Sequence, residues 1–154
     1  MRVVCAMDFA LRVCESAAFG THSVLGLTNP FHGAVSSVLG DQGSLPGWFW
    51  PLAGAMLALV SYVNLMGSDE VVLCAQAYIA AFHSGGVFWH WRVKHHPVVG
   101  IAPGVWVVIA IAVTALRTDL WTAALGGLAC AETGVMLGYV MVTPPSADDE
   151  ALLG

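Results

Sequence analysis

From Val71 to Trp91 the chain runs 21 residues, VVLCAQAYIAAFHSGGVFWHW, without a side chain that is ionised at neutral pH. Coiled as an α-helix, that run spans about 30 Å, the thickness of a bilayer's hydrocarbon core. It follows an acidic pair, Asp69 and Glu70, and leaves through Trp89-His90-Trp91-Arg92-Val93-Lys94-His95-His96. Tryptophan rings favour the headgroup level, and basic side chains favour the water just beyond it. Such a stretch is either the buried helix of a large soluble core or a membrane span, and composition separates the two. The chain has 154 residues, of which 58% are hydrophobic and 10% charged, with one lysine, Lys94. A soluble chain of this length buries only about two thirds of its surface and has no room to hide four or five such helices. The expected class is an all-α integral membrane protein.

Five spans are expected, at about 3–27, 48–66, 71–91, 98–116 and 121–142, in one transmembrane domain covering 1–154. Residues 143–154, with Asp148, Asp149 and Glu150, read as a short acidic tail. Asn29-Pro30 is expected to end the first helix. A Gly- and Ser-rich loop of about twenty residues follows, with a short turn near residues 34–39. Pro51 suits a helix's first turn, and Pro103 either opens the fourth span or kinks it. Gly54, Ala55, Ala58 and Ser61 give the second span a small-residue face. Gly127, Ala131, Gly134 and Gly138 form a small ridge on the fifth, expected to pack on the fourth. An odd number of spans puts the termini on opposite sides. Charge does not orient the bundle, since Arg2 and Arg117 fall on one side and Arg92 and Lys94 on the other.

Two polar seams cross this apolar pattern. Gln76, His83 and His90 recur every seven residues in the third span, and Asp8, Glu15 and His22 do so in the first. Sevenfold spacing keeps residues on one helix face, and a polar face inside a membrane turns toward protein, a cavity or a cofactor. The expected network is Asp8, Arg12, Glu15, Gln76 and His83. Glu15 and His83 each lie about a dozen residues into their helices, so the seams are expected to face each other with these two in contact. The rival arrangement pairs Glu15 with Arg12 alone and His83 with a backbone carbonyl. Glu132, mid-span in the fifth helix, is expected to face protein. Cys5, Cys14, Cys74 and Cys130 fall in apolar segments and read as buried packing thiols, with no metal-binding spacing.

Arg12, Phe19 and Gly20 in the first span, Pro51-Leu52-Ala53-Gly54 opening the second, and His90-Trp91-Arg92 closing the third resemble the DoxX-like family of small helical membrane proteins. The resemblance covers residues 8 to 117 and leaves the fifth span outside. It implies four DoxX-like helices with a fifth C-terminal transmembrane helix added. It also implies quinone-linked oxidation, redox assemblies or chaperone-like membrane roles.

The net charge of −5 and the lack of any Lys/Arg cluster argue against nucleic acid as a partner. No Gly-x-Ser-x-Gly, His-Glu-x-x-His or phosphate-cradling loop occurs, and no catalytic activity of its own is expected. The leading reading is a structural or accessory subunit in a lipid bilayer, packed against other membrane subunits, for which an organellar or bacterial energy-converting membrane would suit. The alternative is a module holding haem, quinone or a chlorophyll-type pigment, with His83, His90, His22 and Glu132 as candidate contacts. His83 and His90 stand about 10 Å apart along one helix and do not ligate one iron together. A small transporter or proton path ranks below both, because no internal repeat is evident.

Overall fold

A computed structural model describes residues 2–32, 45–93 and 96–141. Five α-helices follow one another: α1 (Arg2–His32), α2 (Phe49–Met66), α3 (Asp69–Arg92), α4 (Ile101–Arg117) and α5 (Leu120–Met141). A 3-10 turn, Pro97–Gly100, leads into α4. The loop and its expected short turn, and the acidic tail, lie outside the described residues.

The local breaks have local causes. Gly67 ends α2 with its N–H on the Val63 carbonyl, and Asp69 and Glu70 occupy the favoured acidic first turn of α3. Asp119 caps α5: its Oδ1 accepts from the N–H groups of Trp121 (2.9 Å) and Thr122 (3.0 Å), and its Oδ2 from the Thr122 hydroxyl (2.6 Å). These bonds, the Thr122 hydroxyl foremost, hold the Asp119 carboxyl below its ordinary pKa. Pro103 sits in the first turn of α4, where a missing N–H breaks no hydrogen bond. Asn29-Pro30 does not end α1, which runs on to His32. So close to a helix end, the proline leaves only one carbonyl, that of Gly26, without its donor.

Among the described residues, four segments are long and apolar enough to cross a membrane: α2, α3, the 3-10 turn with α4, and α5. The chain is an all-α, multi-pass integral membrane protein. Helix α1 carries too many charges to read as a plain span, yet it lies antiparallel along the whole of α2. The contact runs from Arg12 beside Asn64, through Ser61 Oγ donating to the Ser16 carbonyl (2.7 Å), to Gly26 against Trp50 and Gly54. Its exposed face is apolar (Met7, Phe9, Val13, Val24, Leu25), and its charged face, with Asp8, Arg12 and Glu15, is buried. A helix lying flat on a membrane has the opposite arrangement, polar face wet. Helix α1 therefore occupies the same slab as α2.

The interior is a thin apolar layer of Phe19, Leu57, Val60, Ile79, Ala80 and Ala110. Glycines set two close backbone-to-backbone approaches between helices. A Cβ on Gly54 would stand 2.8 Å from the Leu27 nitrogen, and one on Gly134 would stand 1.9 Å from the Ala81 oxygen. The second contact corrects the expected ridge. Gly127 does meet α4, at Ile111, but Gly134 and Gly138 pack on α3 through Ala81, Gly85 and Phe88. The glycine face of α3, Gly85, offers α5 a closer approach than the larger side chains of α4. The cysteines are also placed differently from expectation: Cys5, Cys14 and Cys74 are exposed and Cys130 is half-buried. In hydrocarbon an apolar thiol has no reason to turn inward.

Because nothing at Gly134 can yield to a methyl group without moving backbone, Gly134→Ala should destabilise the bundle by about 3 kcal/mol. Gly126→Ala, whose new Cβ meets nothing within 4 Å beyond its own stretch of helix, should cost no stability. Thermal melting of both variants in mild detergent checks the contrast.

Candidate functional site

The two polar seams build two different places in the bundle. At the end where α1, α3 and α5 begin, an ion-pair cluster ties three helices. Arg12 Nε donates to Asp8 Oδ2 (3.1 Å), and Arg117, at the close of α4, grips both Asp8 oxygens through Nε and Nη2 (2.8 Å each). Arg117 Nη1 also donates to Asp69 Oδ1 (2.7 Å). A two-pronged guanidinium–carboxylate bond is the strong form of this contact. Asp69 is open to solvent, so its share is screened and small.

One to two turns deeper, the charges give way to an amide cluster. Glu15 Oε2 accepts from Asn64 Nδ2 on α2 and Gln76 Nε2 on α3, both at 2.8 Å. Gln76 Nε2 also donates to Asn64 Oδ1 (2.8 Å), and Arg12 Nη1 donates to the Asn64 carbonyl. All three cluster residues are at most 1% exposed. Four buried side-chain atoms have no hydrogen-bond partner among the described residues: Glu15 Oε1, Ser16 Oγ, Gln76 Oε1 and Trp50 Nε1.

The seams thus face each other, but one heptad out of the expected register. Glu15 meets Gln76, and it is Phe19 that covers His83, with ring centroids 4.9 Å apart. His83 instead places Nδ1 2.9 Å from the Ile79 carbonyl, as in the rival arrangement. The assumption of equal depth from equal distance fails because α1 starts higher. Arg117 holds Asp8 level with Asp69, the first residue of α3, so the first turn and a half of α1 rises past the end of its neighbour. No Cα of α1 comes within 8 Å of one in α3, so long side chains alone span that gap.

At the opposite end of the bundle the gap becomes a cavity of about 570 Å³. His22, His83 and His90 all line it, with Trp50, Trp89 and Trp106 among the surrounding rings. A carbonyl only accepts, so the Ile79 bond puts the neutral His83 proton on Nδ1 and leaves Nε2 a lone-pair site. His83 is 4% exposed, held by Phe19 on one side and Phe82 on the other. Phe49 and Phe82 stack nearly parallel at 6.2 Å, and Trp50 meets Trp89 edge-on at 5.8 Å. The cavity is therefore an aromatic box with an imidazole acceptor in its wall.

Glu132 belongs to neither place. It is exposed on the outward face of α5, contrary to expectation, because Gly127 and Gly134 take the inward face about 100° per residue away. Ala131 is half-buried beside the ridge. From the sequence Asn64 reads as a helix-end residue that either hydrogen-bonds a neighbour or lies at the interface, Trp50 as part of an aromatic interface anchor, and neither these two nor Arg117 as part of a buried cluster. A signal for two of them was present: Trp50, Leu57 and Asn64 recur every seven residues, a third buried seam. Arg117 looks like an ordinary turn residue, and only the fold brings it to Asp8.

Comparison with family models, with curated proteins and with solved structures gives no match to this chain.

Removing Arg117 leaves Asp8 with Arg12 alone, so Arg117→Leu should cost about 3 kcal/mol, the low end for breaking a buried pair. Arg117→Lys should recover less than half, since an ammonium does not grip both oxygens. Asp69→Ala should cost less than about 1 kcal/mol. Thermal melts of the three variants in mild detergent rank them.

Proposed function

We propose that the protein is a membrane-embedded binding module that holds a flat, ring-bearing apolar molecule of the quinone or tetrapyrrole class. The carrying observation is the cavity of about 570 Å³ with three histidines in its wall. Its volume lies within the usual range for small-molecule sites, and aromatic rings flank it on several sides. The His83 Nε2 lone pair suits either a hydroxyl of a reduced quinone ring or the central metal of a tetrapyrrole. Trp50 adds its ring to the cavity wall. His22 on α1 and His83 on α3 approach from different helices, the disposition a ligand between helices needs. A quinone-class ligand also agrees with what the DoxX-like resemblance implies.

The protein purified in mild detergent is the test material. A visible tetrapyrrole spectrum, or saturable quenching of tryptophan fluorescence by a short-chain quinone, is the expected result. His83→Leu should weaken either by about tenfold, the worth of one hydrogen bond or ligand bond of about 1.4 kcal/mol. The absence of both a tetrapyrrole spectrum and saturable quenching would overturn the reading.

A second reading is favoured by one specific observation: the protein acts within a larger membrane assembly. Glu132 sits about 18 Å along α5 on its exposed face, where hydrocarbon alone would surround a carboxylate. Such groups are met by protein, which a neighbouring subunit would supply. The protein mass of the mild-detergent particle should exceed the 16.1 kDa of one chain. Glu132→Leu should reduce it, and a single-chain particle before and after the change would refute this reading.

A further inference from the structure

The amide cluster at Glu15 carries an imbalance of both charge and hydrogen bonding. Around it the ionised groups are Asp8 and Arg12 on α1, Asp69 on α3 and Arg117 on α4; α2 contributes only the neutral Asn64. Arg117 bonds Asp8 and Asp69, and Arg12 bonds Asp8 and the Asn64 carbonyl, so the Glu15 carboxylate is met by amides and not by a cation. Hydrogen bonding points the same way. Every donor in the cluster is in use: Gln76 Nε2 serves both Glu15 and Asn64, and Asn64 Nδ2 serves Glu15 and the Arg12 carbonyl. Two acceptors, Glu15 Oε1 and Gln76 Oε1, have no donor among the described residues. Both residues are fully buried, and an uncompensated carboxylate there carries a large desolvation penalty.

We propose that Glu15, Gln76 and Asn64 form a binding site for one monovalent cation, a proton or Na+, taken between the Glu15 and Gln76 side-chain oxygens. One positive charge corrects both imbalances at once. A proton on Glu15 Oε1 supplies the missing donor, and Na+ takes the same oxygens as ligands, which suit a hard cation. Gln76 also borders open volume on its other side. A second hollow of about 200 Å³, otherwise apolar, is lined by Gln76, Thr114, Thr118 and Thr122, leading up to the Asp119 turn. The three threonine hydroxyls give their hydrogens to Ala110 O, Thr114 O and Asp119 Oδ2, so lone pairs are what they have left to offer a passing cation. The site lies apart from the three-histidine cavity and does not depend on what fills it.

The test uses the full chain in mild detergent. A hydrophobic carbodiimide modifies carboxyl groups that carry a proton in apolar surroundings, and peptide mapping separates Glu15 from the exposed Glu132. Labelling of Glu15 should fall at least tenfold from pH 6 to pH 9. Thermal melting in choline chloride should drop by about 5 °C over the same range, relative to Glu15→Gln, whose amide supplies the donor permanently. Replacing choline by Na+ distinguishes the two cations. Protection from the label and recovery of the melt assign Na+; no effect of Na+ on a pH-dependent label and melt assigns the proton alone. A Glu15 that takes no label at any pH, with melts insensitive to pH and Na+ relative to Glu15→Gln, overturns the proposal. Should Glu15→Gln fail to fold, labelling of the native protein decides it by itself.

Discussion

Hydrocarbon does not solvate charge, and this single fact arranges the whole bundle. Asp8, Arg12, Glu15, Asn64, Gln76, His83 and His90 are buried, while leucine, valine and methionine side chains of every helix are exposed. In water the same helices would turn the other way. Burial of apolar area gives no drive for association inside a bilayer, so cohesion falls to glycine contacts and to hydrogen bonds between polar side chains. Both are concentrated at particular points, Gly54, Gly134, Asp8 and Glu15, rather than spread over a core.

The helices group into two parts: α1 lies along α2, and α3 packs with α4 and α5. Between α1 and α3 the backbones stay apart, and the space is closed differently at its two ends. Toward Asp8 it is filled by ion pairs and amides, which demand fixed geometry. Toward His90 it is left as an aromatic cavity, whose walls are rings and imidazoles. Phe19 and His83 stand at the boundary, one ring laid against the other. Rigidity at one end and open volume at the other follow from the order of residues along the seams: acid, acid, then histidine on α1; amide, then two histidines on α3.

The sequence made the architecture legible, because a run of 21 uncharged residues in so apolar a chain has few alternatives. The sevenfold spacing also identified which faces of α1 and α3 turn inward. It did not give their relative height. Periodicity specifies rotation about a helix axis, whereas height depends on Arg117 gripping Asp8 and Asp69, contacts made across 109 and 48 residues. The small ridge on α5 was visible, but its partner was not: glycines say that something comes close, and the matching Gly85 decides what. Glu132 was misplaced for a related reason. A carboxylate in a span must be met by protein, and that requirement does not say whether the protein belongs to the same chain.

The long separation between Asp8 and Arg117 has a consequence for biosynthesis. Ribosomes add roughly 5 to 20 residues each second, so α1 is complete about 4 to 17 seconds before Arg117 exists. Over that interval Asp8 has Arg12 beside it, but Glu15 waits first for Asn64, 49 residues on, and then for Gln76, 61 residues on. Of the five helices the most polar one precedes all of its partners. Until Gln76 is made, the Glu15 carboxylate lacks part of its hydrogen-bond shell, so α1 reaches its final polar surroundings only once α3 exists.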